Sequence, residues 1–140
     1  MSEQVVTFAL GAREYATSLR WVREVVRLEG LADLPGMAPP LAGVLDLRGT
    51  SLPVLDLRVG ATSDTRGDVL VLERQDQGGE SSVGVAVDRV RAVVARDDLP
   101  QAGAGAEEGV LPPYVIEVLR GSRGPVFLVD LEQMIDAARV

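Results

Sequence analysis

The feature that most constrains the fold is a succession of short β-prone runs covering nearly the whole chain. Each run is rich in valine and leucine and meets a glycine, a proline or a charge within a few positions. Short strands separated by turn residues are typical of sandwiches and barrels, whereas parallel sheets need helices between strands. The segments 34–40 and 101–106 lack this pattern, and we expect an irregular segment and a mobile loop there. We predict an all-β fold with strands at 5–10, 15–19, 43–47, 52–57, 69–73, 83–87, 90–95, 114–119 and 125–129.

Two segments add a helical period to this pattern. From Leu19 to Leu28 the apolar spacing fits a helix, while Trp21 and the valines favour a strand, so we expect a short helical turn that leads into a strand. Near the end of the chain, Asp130 has the character of a helix N-cap, with Gln133 three residues later as in a capping box. The sequence therefore predicts one short C-terminal helix, with one apolar face formed by Leu131, Met134, Ile135 and Ala138.

The sequence also contains an internal echo. Leu47-Arg48-Gly49 followed by Pro53-Val54 is similar to Leu119-Arg120-Gly121 followed by Pro125-Val126. The echo suggests two related hairpins and a fold of two lobes. Because arginine-glycine turns and valine-rich strands are common, coincidence explains it equally well.

Composition limits the chemistry that the chain can perform. Its 140 residues, 46% of them hydrophobic, can close one domain, residues 1–140, without a metal or a disulfide. Without histidine or cysteine, the usual general base, metal ligand and thiol nucleophile are missing. Serine triads and most zinc sites are therefore excluded, although a pair of carboxylates or a carboxylate magnesium site stays open. We expect a protein that is not an enzyme and that needs no cofactor.

Charge and hydropathy narrow the partners and the location. A net charge of −7 disfavours nucleic acid and anionic lipid. The apolar runs fall well short of the ~20 residues that span a bilayer. The first residues, 1–4, lack the basic start and apolar run of a signal peptide. We therefore expect a cytoplasmic protein that does not insert into a membrane.

Two places along the chain are candidates for a binding surface. Arg48 lies at a turn between two apolar strands, where its guanidinium can meet a partner carboxylate with two hydrogen bonds. A solvated turn arginine is the simpler alternative. Val22, Arg23 and Glu24 form a mixed apolar and charged segment that is either an interface or an amphipathic edge. The preceding Trp21 is either a binding hot spot or a core residue, and partial burial is slightly favoured.

Four aspartates stand at or near strand ends and raise the question of a metal or acid pair. Their spacing matches no calcium loop or other local metal signature, and aspartates at strand ends usually cap turns or helices. We expect no metal at these positions. The four residues are Asp46, Asp56, Asp88 and Asp130.

The ordered set of segments resembles the CheW family of chemotaxis coupling proteins. The strongest part is a Leu-Arg-Gly turn followed by Pro-Val-x-Asp-Leu-Arg, at 47–49 and 53–58, and the resemblance spans nearly the whole chain in order. The segments that carry it are 8–11, 14–16, 22–25, 34–35, 43–49, 52–58, 83–90 and 126–131.

The resemblance implies two five-stranded, SH3-like β-barrels that share one core, and a scaffold without chemistry. Proteins of this family couple a CheA-like histidine kinase to the cytoplasmic tips of methyl-accepting chemoreceptors. Carried over by position, Val22, Glu24 and Arg48 belong to the receptor-binding surface, and Gly43 matches a glycine that matters for kinase binding.

Some residues depart from the family pattern. Thr17 replaces a large aliphatic residue, Thr50-Ser51 replaces a more apolar pair, Glu117 stands at a usual glycine position, and the loop after Arg58 is short. These departures leave open a divergent adaptor for another pathway. From the residues alone, a small-ligand-binding or carboxylate-based β-barrel enzyme is the alternative from a different class.

Overall fold

The computed structural model describes residues 3–32, 41–58, 66–76, 79–102 and 111–138. These residues form ten strands, two short 3₁₀ turns at Leu19–Trp21 and Arg96–Asp98, and one helix. The expected irregular segment 34–40 and most of the expected loop 101–106 lie outside the described residues. The strands are β1 Gln4–Leu10, β2 Arg13–Ser18, β3 Val22–Arg27, β4 Leu41–Leu47, β5 Thr50–Asp56, β6 Asp68–Asp76, β7 Gly79–Val87, β8 Arg89–Ala95, β9 Val115–Gly121 and β10 Gly124–Val129; the helix is α1 Leu131–Ala138.

The strands form two five-stranded sheets with the same connectivity pattern. One sheet has the order β8-β1-β2-β10-β9 and the other the order β3-β6-β7-β5-β4. In each sheet two antiparallel hairpins meet through a parallel pair, β2 with β10 and β5 with β7. We call the first sheet the terminal barrel and the second the central barrel, because the chain leaves the first, builds all of the second and then returns.

Main-chain bridges close each sheet between its two edge strands. In the central barrel, Ala32 beyond β3 exchanges two backbone hydrogen bonds with Val44 on β4, both with N–O distances of 2.9 Å. In the terminal barrel, Gln101 beyond β8 bridges Leu119 on β9. The closing contacts make each twisted sheet a barrel, because backbone groups at its two edges bond with each other rather than with solvent.

The apolar side chains form three layers. One lies inside the central barrel, one inside the terminal barrel, and the largest lies between the barrels. The shared layer contains the stacked rings of Phe8 and Tyr15, whose centroids are 5.7 Å apart, with Phe127 on the other side of Tyr15 at 5.8 Å. Burial raises the pKa of the Tyr15 hydroxyl, with a further increase from nearby Tyr114. Both barrels contribute to this layer, including Val6, Leu10, Leu55, Leu70 and Val85.

The C-terminal helix covers one end of the shared layer. Its apolar residues Leu131, Met134 and Ile135 are buried, as the helical period predicts. The Asp130 carboxylate accepts a hydrogen bond from the Gln133 amide at 3.2 Å, which confirms the N-cap. No helix among the described residues has the length and apolar character that a membrane span needs.

The strand predictions are confirmed with shifts of up to four residues at their ends, and the expected helical turn is the 3₁₀ turn that leads into β3. The departure at Thr17 is accommodated in the core. Its side chain is fully buried, and its hydroxyl donates to the Val129 carbonyl at 3.2 Å. The buried hydroxyl of Thr17 therefore has a hydrogen-bond partner, so a polar residue is tolerated where the family usually has an aliphatic one.

Of the two parts of the repeated sequence pattern, only the Pro-Val segments occupy equivalent positions in the structure. Val54 pairs in parallel with Gly84, and Val126 pairs in parallel with Glu14, so the Pro-Val segments occupy the same place in the two barrels. The Leu-Arg-Gly segments do not correspond. The β4–β5 turn is Arg48-Gly49, whereas Arg120 lies within β9, opposite Pro125.

Candidate interaction site

A tight two-residue turn presents Arg48 at the rim of the central barrel. Leu47 pairs with Thr50 across the turn, and both central residues have positive φ, 50° for Arg48 and 85° for Gly49. This is the backbone of a type I′ hairpin, which matches the twist of the strands and favours glycine at its second position. The Asp46 carboxylate accepts from the Gly49 amide at 2.9 Å and holds the turn in place.

Arg48 meets Glu24 in a forked ion pair. Arg48 Nη1 donates to Glu24 Oε1 at 3.0 Å, and Nη2 donates to Oε2 at 2.6 Å. Hydrogen bonding from Arg48 lowers the pKa of the Glu24 carboxyl, and the same contact raises the pKa of Arg48. Because 64% of the Arg48 side chain is exposed, the pair is open to a partner on one side.

The pair joins the two edges of the central barrel. Glu24 belongs to β3 and Arg48 follows β4, and these strands stand at opposite ends of the sheet order. A second ion pair extends the charged surface, since Arg23 Nη1 lies 3.2 Å from Glu73 Oε1 on β6. The geometry therefore unites Arg48 and Glu24, which are separated in the sequence, in one exposed charged site.

Gly43 lies beneath this rim, on β4, where the barrel closes. A Cβ added there would stand 2.6 Å from the Ala32 carbonyl oxygen and 2.8 Å from Leu31 Cγ. Ordinary contacts of this kind begin near 3.4 Å, so any side chain would force β4 away from residues 31–32. Glycine is therefore required at this position because the barrel closes there, with β4 lying directly against residues 31–32.

The expectation that Val22 lies on the exposed surface is wrong. Its side chain is only 6% exposed and packs in the layer between the barrels. It begins β3 opposite Leu72, and the pairing then shifts before Glu24 opposite Val71. This irregularity lets Val22 point inward while the strand continues to Glu24 at the rim.

Exposed apolar side chains flank Glu24 along the chain. Trp21 is 49% exposed, and Val25 is also exposed. The partial burial expected for Trp21 is confirmed. A tryptophan that keeps half its surface in water is a frequent component of protein interfaces, and Trp21 lies three residues before Glu24 in the chain.

Each of the four strand-end aspartates binds a backbone amide or an arginine of this chain. Among the described residues, no group of three or more carboxylates is placed to hold a metal ion. Asp46 accepts from the Gly49 amide, Asp56 binds the Arg58 guanidinium, Asp88 accepts from the Gly11 amide and Asp130 accepts from the Gln133 amide.

An open cleft of about 790 Å³ lies beside the ends of β3 and β7. It is lined by Asp68 and Asp88, but each carboxylate is bound to a backbone amide, that of Val90 at 2.8 Å and that of Gly11 at 2.6 Å. Each of these two carboxylates therefore stabilises a backbone segment, and Glu29 is the third acid in the lining.

Sequence reasoning missed the side chains that close the terminal barrel. Arg96 binds the Glu117 carboxylate, and the Gln101 amide binds its other oxygen. The only sequence signal was the departure from glycine at Glu117. The structure accounts for it, because this carboxylate joins β9 to the segment that follows β8.

Comparisons with known proteins agree with this architecture. The model of the CheW-like domain family matches residues 4–139. The chemotaxis protein CheW of Treponema pallidum is 24% identical over 150 aligned residues, which cover 96% of this chain and 82% of the relative. The chemotaxis protein CheW of Bacillus subtilis is 36% identical over 56 residues, which cover 40% of this chain and 36% of the relative.

A solved structure shows the same fold. The scaffolding protein TtCheW from Thermoanaerobacter tengcongensis superposes with a TM-score of 0.68 and 19% sequence identity, covering 93% of this chain and 90% of its own. The two five-stranded barrels are therefore SH3-like, as the resemblance implied. With the family model matched across almost all of its length, the chain belongs to the CheW-like domain family.

Proposed function

We propose that the protein is a non-catalytic cytoplasmic scaffold that couples chemoreceptors to a CheA-type histidine kinase. Membership of the CheW-like family across residues 4–139 carries this proposal. Two further observations support it: relatives bear the name chemotaxis protein CheW, and a protein of the same fold is described as a scaffold. Each strand-end aspartate binds a backbone amide or Arg58, which weakens the case for a carboxylate-based enzyme.

The receptor-binding surface in this proposal is the rim formed by Arg48 and Glu24. Glu24 already orients the guanidinium of Arg48, so little side-chain freedom is lost when a receptor contacts it. Trp21 and Val25 supply apolar contact area beside the charges. Val22 contributes indirectly, because its burial fixes the start of β3.

Gly43 affects kinase binding, in our proposal, through the shape of the central barrel. Its lack of a side chain allows β4 to bond with Ala32, and this bond sets the position of the β4 edge. A kinase domain that packs against the closed edge would lose its complementary surface if the strand moved.

We also propose that residues 1–140 form a single folding unit. The two barrels share their largest apolar layer, so neither can unfold without exposing the other's side chains to water. Calorimetry tests this directly. One transition whose calorimetric and van't Hoff enthalpies agree is expected, and two separable transitions would contradict it.

A binding assay tests the coupling proposal. The purified protein is mixed with the CheA-like kinase of the same genome and with a receptor cytoplasmic fragment, and retention of each is measured separately. We expect both to be retained by the wild type, and receptor retention to fall for Arg48→Glu. Arg120→Glu is the matched control, because Arg120 is exposed and is the counterpart of Arg48 in the sequence echo but not in the structure. Retention of neither protein by the wild type would refute the proposal.

A further inference from the structure

The pairing of the strands gives each residue of one barrel a counterpart in the other. A row of paired residues can be followed across each sheet from the first edge strand to the last. At the first position of the row, Glu24 corresponds to Arg89. At the third, Gly84 corresponds to Glu14. The full rows are Glu24, Val71, Gly84, Val54 and Gly43 in the central barrel, and Arg89, Ala9, Glu14, Val126 and Leu119 in the terminal barrel.

The hairpins that face the first edge strand differ in length. After its turn, β5 begins at Thr50, four residues before Val54, whereas β10 begins at Gly124, only two residues before Val126. The longer hairpin brings Arg48 to Glu24. In the terminal barrel the shorter hairpin ends at Ser122-Arg123. Within the described part of the chain, no carboxylate meets Arg89.

The space behind these residues also differs. In the central barrel, a Cβ on Gly84 would stand 2.7 Å from Val69 Cγ1 and 3.1 Å from Leu52 Cδ2, so the interior is full. In the terminal barrel, Glu14 borders a cleft of about 410 Å³ that opens between β8 and the β9–β10 turn. Its apolar wall is formed by Val94, Leu99 and Val126.

Positive charge dominates the lining of this cleft. Arg89, Arg91 and Arg123 line it together with a single acid, Glu14. Arg91 Nε lies 3.1 Å from Glu14 Oε1, which uses one of its five donors. The Nη groups of Arg91 and the guanidinium groups of Arg89 and Arg123 bind no described residue. An excess of arginine here contrasts with the net charge of −7 of the whole chain.

Glu14 orients the side chain of Arg91, one of the three arginines that line the cleft. Its second carboxylate oxygen, Oε2, is buried and makes no hydrogen bond with the described residues. Burying a carboxylate is unfavourable unless an opposite charge compensates it, and Arg91 Nε, 3.1 Å from Glu14 Oε1, supplies that charge. The donors of Arg91 are thereby oriented before any partner arrives.

We propose that this cleft, the mouth of the terminal barrel, is a docking site for an acidic polypeptide segment of a partner. A carboxylate side chain of the segment binds Arg89 and Arg123, and a neighbouring aliphatic side chain packs against Val94 and Leu99. The partner's carboxylate thus forms with Arg89 an ion pair like that of Glu24 with Arg48. In the central barrel the edge strand carries the acid, whereas in the terminal barrel it carries the arginine. This inference does not depend on coupling to a kinase or receptor.

Selection from a random peptide library displayed on phage tests the proposal. The wild-type protein is the bait, and the double variant Arg89→Glu/Arg123→Glu removes peptides that bind elsewhere. We expect the retained peptides to carry Asp or Glu beside an aliphatic residue. A synthetic copy of one should bind the double variant at least about tenfold more weakly than the wild type. Arg120→Glu is the control, since it changes an exposed arginine outside the cleft and should leave binding unchanged.

Three results would overturn the proposal. They are retained peptides without acidic residues, failure to recover any peptide that distinguishes the wild type from the double variant, and inorganic phosphate displacing the peptide at equal concentration. The last result would identify a general anion site. Circular dichroism and thermal unfolding establish that each variant is folded, and the single variants Arg89→Gln and Arg123→Gln replace the double variant if charge reversal prevents folding.

Discussion

The two barrels have the same strand connectivity, but they close differently. In the central barrel a long hairpin brings Arg48 to Glu24 at the turn end, and the interior is filled. In the terminal barrel the hairpin is shorter, the turn end is open, and the ion pair of Arg96 and Glu117 lies at the opposite end. The hairpin that is two residues longer carries Arg48 to Glu24, whereas the shorter hairpin of the terminal barrel brings no carboxylate among the described residues to Arg89.

The closures also differ in their exposure. Arg96 and Glu117 are 24% and 21% exposed; Glu24 is similar at 24%, but Arg48 is 64% exposed. Ion pairs that keep less contact with water are screened less. We therefore interpret the pair in the terminal barrel as mainly structural, and the pair in the central barrel as mainly a contact surface.

The largest expected effect on stability concerns the closure of the central barrel at Gly43. Gly43→Ala should lower the free energy of unfolding by about 1–3 kcal/mol, and Gly43→Val by more, because each added carbon displaces β4 from Ala32. Urea unfolding of both variants measures the effect, and kinase binding is measured alongside. Full stability of Gly43→Ala with loss of kinase binding would instead mean that the kinase contacts the glycine directly.

An intermediate effect is expected at the closure of the terminal barrel. Glu117→Ala removes the partner of Arg96 and Gln101 and should cost about 1 kcal/mol. A double-mutant cycle with Arg96→Ala isolates the coupling between the two charges. This coupling should exceed that of the Arg48 and Glu24 cycle, and the reverse order would contradict our assignment of structural and contact roles.

A smaller effect on stability, with a clear effect on binding, is expected at the central rim. Arg48→Glu should leave the thermal midpoint nearly unchanged, since exposed ion pairs contribute little to stability, while receptor or kinase coupling weakens. The exchanged pair Glu24→Arg/Arg48→Glu restores the ion pair without restoring the wild-type surface. A large loss of thermal stability in Arg48→Glu would show that the side chain is structural.

The smallest effect concerns the protonation of Glu24. Its pKa is lower in the folded protein than the ordinary value of 4.5, because Arg48 donates to the ionised carboxyl. The folded state is therefore favoured by this group above pH 4.5, and the advantage is lost as the pH falls through the lowered pKa. The difference in thermal midpoint between wild type and Glu24→Gln should shrink from about pH 7 to about pH 3. A difference that grows on acidification would contradict the ion-pair interpretation.

Local features of the fold could be predicted from the sequence. Alternation and turn residues indicated the strands, the mixed pattern at 19–28 indicated a helical turn before β3, and Asp130 indicated the helix start. These features depend on neighbours in the chain. The burial of Val22 was not predicted, since a shift in the β3–β6 pairing determines which way this side chain points.

Contacts between distant segments could not be predicted from spacing. The pairing of Glu24 with Arg48 depends on sheet closure, and so does the contact of Glu117 with Arg96. The sequence echo suggested equivalent Leu-Arg-Gly turns, yet the shorter second hairpin places Arg120 within a strand. The same three residue types occur in both segments, but the hairpins differ in length. Only the strand pairing shows that the two segments are not equivalent.

Reconstituted signalling complexes provide a direct test of the proposed scaffold function. Autophosphorylation of the CheA-like kinase is measured with receptor-containing membranes, with and without this protein. We expect receptor-dependent control of the kinase to require the protein, to weaken with Arg48→Glu, and to persist with Arg120→Glu. Kinase output that is the same with and without the protein at every concentration would contradict the scaffold account.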